Sequence, residues 1–336
     1  MVGIESYGVA LPHLRLPASA YVEAWGHCAA PGLKQKAFCS YDEDAVTLGI
    51  EAARRSLNSL PFEIEISAVF FGVTTPPYDE KPSAATFPTA LFNNDTIRVT
   101  EITGSPQAGL QALVSAAEFC LAHKDQYALA VAADAPIGAP DSAFEHALGA
   151  AAAAFVVGWE GAAAIYNDSV SLTRETFGSR FRRHGEAALD DLELRTRDNL
   201  AVLKELGDLL STIELGNIRR LALGIESRLA RNVGKILGLP KAEVDQLWCM
   251  IGDAGSASGP SAQAASLDRS RAGEKILCAG VGAGATAAWF TAGRHLSKRR
   301  RKGKKVSDLI VSGEPVDYIT YLKHRRILST KFRGSA

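Results

Sequence analysis

The chain is poor in residues that would mark several function classes. It has five cysteines in 336 residues, at 28, 39, 120, 249 and 278, with no C-x-x-C spacing. Neither a disulfide framework nor a zinc site is therefore expected. No cysteine lies between Cys39 and Cys120, and no histidine from Gly185 through Arg294. Neither sign of charge is in excess, with 37 Lys+Arg against 37 Asp+Glu, which argues against nucleic acid as a partner. Long apolar runs are missing too. The longest uncharged one, around Ala147 to Val157, is too short to span a bilayer. The N-terminus lacks the basic start and long apolar stretch of a signal peptide. These absences lead to the expectation of a soluble cytoplasmic protein with no metal and no membrane contact.

What is present is an ordinary globular composition, 47% hydrophobic and 22% charged, on a chain long enough to bury a duplicated core. Helix and strand signals alternate. Asp44 to Leu57 carries Ala45, Leu48, Ala52 and Ala53 at helical spacing. Residues 68–73, 127–133, 149–157 and 162–166 read as strands, the first two without the polar alternation of a half-exposed sheet. A helix is expected from Pro106 to about His123. The second half repeats the rhythm: a helix from Arg228 to Leu237 ending near Gly238, a strand at 244–250 that Asp245 and Gln246 make weak, a loop at 252–260, a helix from Ser261 to Asp268, and a strand from Lys275 into a glycine-rich turn. Two halves with the same element order imply a duplicated α/β unit with packed layers. We divide the chain into 1–168, a polar insert or linker at 169–217, and 218–336 with its tail.

Several segments, taken in order, resemble archaeal-type hydroxymethylglutaryl-CoA synthases and the related ketoacyl synthase III proteins of the thiolase superfamily. They are Val2 to Val9, Asp42 to Gly49, Pro76-Pro77-Tyr78 with Lys81-Pro82, His146 to Phe155, Arg183-His184-Gly185 and Asp317 to Lys323. The resemblance implies a thiolase-like, five-layered α-β-α-β-α fold and a dimer joined through adjacent central strands. It also implies where chemistry belongs, and there the chain departs from the pattern. The nucleophilic cysteine falls at or beside Pro106, the histidine around Glu226, the asparagine at Asp253 and the catalytic glutamate near Thr74. A condensing enzyme needs a thiolate at a helix N-terminus, a proton-handling histidine and a group that steadies developing charge. Proline, glutamate, aspartate and threonine do not supply that set.

Ser105 is the remaining hydroxyl and a conceivable acyl acceptor. Ser-Pro opening a helix is also the ordinary N-cap and N1 pair, and we favour that reading. His184 and His146 read as solvated and structural, and Asp79 and Glu80 as loop charges. Gly282 and Gly284 lie in a turn whose sequence, Gly280 to Ala285, lacks the full G-x-G-x-x-G spacing. By resemblance this turn packs against the nucleophile pocket. The run Lys298 to Lys305 reads as a solvated hairpin loop, with Arg301 as a candidate for CoA phosphates. Gly282, Gly284 and Arg301 are thus the candidate cofactor-binding residues. No covalent cofactor is expected, with acyl-CoA as ligand or substrate.

The resulting expectation is a non-catalytic subunit that supports a thiolase-like catalytic subunit in an acyltransferase complex, as a homo- or heterodimer. The resemblance extends to assemblies with a small zinc-ribbon/OB-fold subunit, of the phloroglucinol acetyltransferase type. The rival readings are an acyltransferase using Ser105 and an acyl-CoA-binding module.

Overall fold

The computed structural model describes residues 1–175, 180–191, 199–214 and 216–328. The first half runs β1 (Gly3–Ala10), β2 (Leu14–Pro17), α1 (Ala18–Trp25), β3 (Gln35–Ala37), α2 (Ala45–Asn58), β4 (Ile66–Gly72), α3 (Thr86–Phe92), β5 (Arg98–Ile102), α4 (Ala108–Ala122), β6 (Tyr127–Asp134), β7 (Ile137–Gly138), α5 (Ala143–Ala147) and β8 (Ala151–Gly158). The second runs β9 (Ala164–Thr173), β10 (Ala188–Leu189), α6 (Asn199–Leu210), β11 (Ile218–Leu223), α7 (Ser227–Ile236), β12 (Glu243–Asp245), α8 (Trp248–Ile251), α9 (Ser258–Arg269), β13 (Lys275–Val281) and β14 (Gly284–Ala292). The tail adds α10 (Leu296–Lys302), α11 (Val306–Val311), β15 (Glu314–Pro315) and α12 (Tyr318–His324).

The duplication is visible in the hydrogen bonding. Ten strands form one ladder in the order β12-β11-β13-β14-β9-β1-β8-β6-β4-β5. Read outward from the centre, each half orders its own strands first, fifth, fourth, second, third. The pairing senses match as well. β1–β8 and β8–β6 are antiparallel, like β9–β14 and β14–β13, whereas β6–β4–β5 and β13–β11–β12 are parallel. Helices α4 and α9 touch each other and strands of both halves, while α2 covers the first half and α6 the second. The layers are therefore α-β-α-β-α. Strand β9 runs through position 168, so the sheet continues across that boundary into the stretch read as an insert.

Local sequence accounts for most elements. Asp44 and Thr47 form a reciprocal capping box at α2, whose inner face buries Ala45, Leu48, Ala52 and Ala53. Strand β8 is buried along its whole length, as expected of a strand covered on both sides. Four readings need correction. Helix α4 starts at Ala108, two residues later than expected. The stretch 244–250 divides into short β12 and the helical turn α8, and α9 begins at Ser258, so the loop before it is shorter. Asp245, which weakened the strand pattern, is buried because Arg220, Arg269 and Ser266 all donate to it, at 3.1, 2.7 and 2.8 Å. The basic run is helical in α10 and is not a solvated hairpin loop. Arg299 donates to the Glu5 carbonyl (3.0 Å), Arg300 to Leu267 and Ser270 (2.6 Å each) and Lys302 to Leu60 (3.2 Å). The Leu267 and Ser270 carbonyls lie at the C-terminal end of α9, where helical acceptors run out. The tail packs inward, with Tyr318, Tyr321 and Leu322 buried beside Tyr21 and Phe38. No helix among the described residues is long and apolar enough to cross a membrane.

Candidate functional site

The start of α4 lies in the middle layer, under the β13–β14 turn of the other half. Strand β5 ends at Ile102, and Gly104 turns the chain with a φ of 87°. The Ser105 hydroxyl accepts from the Gln107 N–H (3.2 Å) and donates to the Gly282 carbonyl (2.8 Å). Its role is thus a local turn bond plus a bridge to the opposite half, and Gln107 holds the N-cap position of α4. The Gln107 amide nitrogen also donates to the Gly282 carbonyl, while its oxygen accepts from the buried Thr286 hydroxyl. A Cβ on Gly282 would lie 2.7 Å from Pro106 Cδ and 2.9 Å from Ser105 Oγ. Only glycine permits this approach. Gly284, at φ 105°, sits instead against the Leu172 carbonyl. The Arg301 side chain lies outside the described residues.

Thr74 and Thr75, just beyond β4, are bound to a carboxylate that sequence reading missed. Asp134, fully buried at the end of β6, accepts from the N–H and hydroxyl of both threonines at 2.7–2.8 Å and from the Ser256 N–H at 2.7 Å. The place expected to hold a catalytic carboxyl is thus a threonine tied to a structural one. The buried run Tyr127 to Asp134 with its lone terminal charge was the available signal.

Asp253 lies between α8 and α9. One oxygen accepts from the Gly255 N–H (2.9 Å) and the Ser258 hydroxyl (3.3 Å); the other pairs with Arg180 at 2.8 Å. Arg182, two residues on, donates to the Thr74 carbonyl (3.2 Å). Residues 180–182 therefore bridge two of the four departures. Asp253 carries its own counter-charge here. Beside it is a slot of about 10 Å³ lined by Leu223, Trp248, Ile251 and Ser258 among others, room for about one water. Glu226 precedes α7, and its carboxylate has no partner among the described residues. The structure thus joins Thr74 and Asp253 through the Arg180–Arg182 segment, and Ser105 and Pro106 through Gly282, but does not bring Glu226 into hydrogen-bond contact with any of them.

Thiols and imidazoles lie elsewhere. Burial pushes the Cys39 thiol up to about 12 and Cys120 to about 11, and raises Cys278 as well, the opposite of what a nucleophile needs. His184 is exposed in a turn. His146 is buried against Tyr21, ring centroids 4.0 Å apart, and burial holds it down to about 4. His146, His27 and Asp141 bring three possible ligand atoms within 4.8 Å of one another. However, His146 Nδ1 accepts from the Ala29 N–H (2.8 Å), so its Nε2 keeps the proton that a metal would have to displace. Next to it Lys36 is wholly buried. It donates to the Glu145 carbonyl and to Tyr321 (3.1 Å), and burial lowers it to about 7.

This fold, with the paired helix starts at its centre, defines a thiolase-like scaffold. A β-ketoacyl-[acyl carrier protein] synthase III from Thermus thermophilus superposes with a TM-score of 0.71 at 21% identity, covering 86% of this chain and 98% of that one. MvaS in complex with 3-hydroxy-3-methylglutaryl coenzyme A gives 0.83 at 17%, covering 97% and 91%. No protein-family model matches the chain. The hydroxymethylglutaryl-CoA synthase of Pyrococcus furiosus is 30% identical over 345 aligned positions, covering 97% of this chain and 96% of that one. The chain belongs to the hydroxymethylglutaryl-CoA synthase family.

Proposed function

We propose that this chain is a non-catalytic member of its family, a subunit that supports a thiolase-like catalytic partner in an acyl-CoA-dependent acyltransferase complex. The observation that carries this reading is the state of the polar groups at the family's reaction centre. Catalytic donors and acceptors work because they are held toward a place the substrate will occupy. Here Ser105 and Gln107 are spent on Gly282 and Thr286, Thr74 on Asp134, and Asp253 on Arg180. Among the described residues no thiol or imidazole is hydrogen-bonded into the group. Ser105 has no base among the described residues to take its proton, and its hydroxyl already donates to a carbonyl. Because catalytic groups of this kind act as a unit, a single surviving hydroxyl does not restore the rate.

The partners proposed are a thiolase-like subunit and a small zinc-ribbon/OB-fold subunit. Strand β5 supports the first. It ends the ladder with Arg98 and Val99 exposed, and an unpaired edge is where a strand of another chain adds. Intact-mass measurement of the purified chain after incubation with acetyl-CoA tests the chemistry, and we expect no mass increase. A stoichiometric acetyl adduct that disappears in Ser105→Ala would establish the serine acyltransferase. Co-purification from the native cell tests the assembly. Recovery of the chain alone, or only as a homodimer, would overturn the complex. Pro106→Cys should react with alkylating agents at the helix start without gaining condensation. Efficient carbon–carbon bond formation by that variant would show the rest of the pocket to be intact.

A further inference from the structure

Away from the thiolase-like centre, a cleft of about 450 Å³ separates the outer face of α2 from α11 and the turn after it. That volume is in the range of small-molecule sites. None of its lining residues belongs to the candidate centre. Its floor includes Arg15 on β2, a side chain 1% exposed. A buried guanidinium normally faces a carboxylate. Arg15 has none within ion-pair distance among the described residues. It donates instead to the carbonyls of Pro12, Leu14 and Leu309, the last two at 3.1 and 3.0 Å, and its Nε has no acceptor. Burial accordingly lowers it to about 10, with Glu43 the one opposing charge.

The remaining charges of the cleft can be accounted for one by one. Arg55 is held by Glu51 at 2.8 Å, and His13, counted as neutral, lies 3.2 Å from Glu314, which is outside the lining. Glu43 accepts from the Ser40 N–H (2.9 Å) and stands against one of the two cations left over. Those cations are Arg15 and Lys304, so the lining keeps an excess of one positive charge. Gly313 presses its backbone on the guanidinium, since a Cβ there would lie 2.5 Å from Arg15 Nε. The cation is thus fixed in place, with no carboxylate in ion-pair contact among the described residues, and the lining as a whole stays one positive charge in excess.

We propose that this cleft binds a small organic anion, a carboxylate or a phosphate monoester, whose charge is balanced by Arg15 and Lys304. The proposal does not rest on the function argued above. Isothermal titration of the full chain at low salt with inorganic phosphate, a sugar phosphate and citrate separates the two anion sources. At least one should bind at a single site, weakening as salt rises. Lys304→Glu, on the exposed rim, should weaken binding about tenfold through charge reversal, while Lys235→Glu on α7 should leave it unchanged. Arg15→Gln, with folding checked by circular dichroism, should abolish it. Crystals soaked with the tightest anion should place it between α2 and Gly313. No binding by any of the three, or binding indifferent to Lys304→Glu in a folded protein, would overturn the proposal.

Discussion

The two halves share a strand order and a pair of central helices, yet they close those helices by different means. In the first half the start of α4 is met by the end of β13, through the neutral carbonyl of Gly282. In the second half the approach to α9 is met by the end of β6, through the charged side chain of Asp134. The positions correspond under the duplication. The chemistry does not, because Asp134 also holds Thr74 and Thr75 and so ties two other segments to its own, whereas Gly282 ties one. A duplicated scaffold fixes where contact must occur and leaves open whether a dipole or a charge makes it. The charged version concentrates more stability in one residue.

That contrast can be broken most directly at Asp134. Asp134→Ala strands the N–H groups of Thr74, Thr75 and Ser256 and should cost about 3–4 kcal/mol in urea unfolding. A loss under about 1 kcal/mol would mean that water replaces the carboxylate, and the two closures would be equivalent. The next test exchanges glycines. Gly255→Ala places a Cβ 2.4 Å from Asp134 Oδ2 on a backbone at φ 54°, whereas Gly282→Ala meets Pro106 and Ser105 with no such backbone demand. We expect about 2–3 kcal/mol for Gly255→Ala and about 1–2 for Gly282→Ala; the reverse order would refute the comparison.

A buried charge without full compensation also shows in pH dependence. Lys36 is lowered to about 7 from 10.5, so between those values the unfolded chain binds more protons than the folded one, and stability rises with pH. His146 acts below this window, between about 4 and 6.5, and Glu145, raised by burial, acts from 4.5 upward with opposite sign. Cys39 and Cys120 begin to oppose the trend above 9. Between about pH 7 and 9, stability should climb by about 1 kcal/mol per pH unit, and Lys36→Met should flatten the slope. An unchanged slope in the variant would assign the effect to another group. The smallest effect belongs to Ser105→Ala, which removes one neutral bridge to Gly282 and should cost about 1 kcal/mol. A stable variant that abolished activity of an isolated complex would give Ser105 a chemical role.

Legibility followed distance along the chain. Helix α2 was readable because its cap and its apolar face lie within Asp44 to Asn58, and β6 because every residue faces a layer. The readings that failed depended on distant partners. Asp245 looked wrong for a strand until Arg220 and Arg269 surrounded it. The run at 298–305 looked solvated because the carbonyls it serves lie at Glu5, Leu60, Leu267 and Ser270. At the candidate centre, resemblance alone pointed to Thr74, Ser105, Pro106, Glu226 and Asp253. Their partners were not legible, since Arg180 lies 73 residues from Asp253 and Asp134 60 from Thr74.

The sequence by itself determined the layered, duplicated α/β architecture and the lack of any cysteine between Cys39 and Cys120 and of any histidine from Gly185 through Arg294. Periodicity and residue type are local properties, and a missing side chain is missing in any fold. Only the tertiary structure decided how the remaining polar groups are spent: Asp253 on Arg180, Ser105 on Gly282, Thr74 on Asp134, and Arg15 on carbonyls with no carboxylate in ion-pair contact among the described residues. Those outcomes depend on which unsatisfied donors and charges burial brings together, and in a protein interior that is set by packing between segments far apart in the chain.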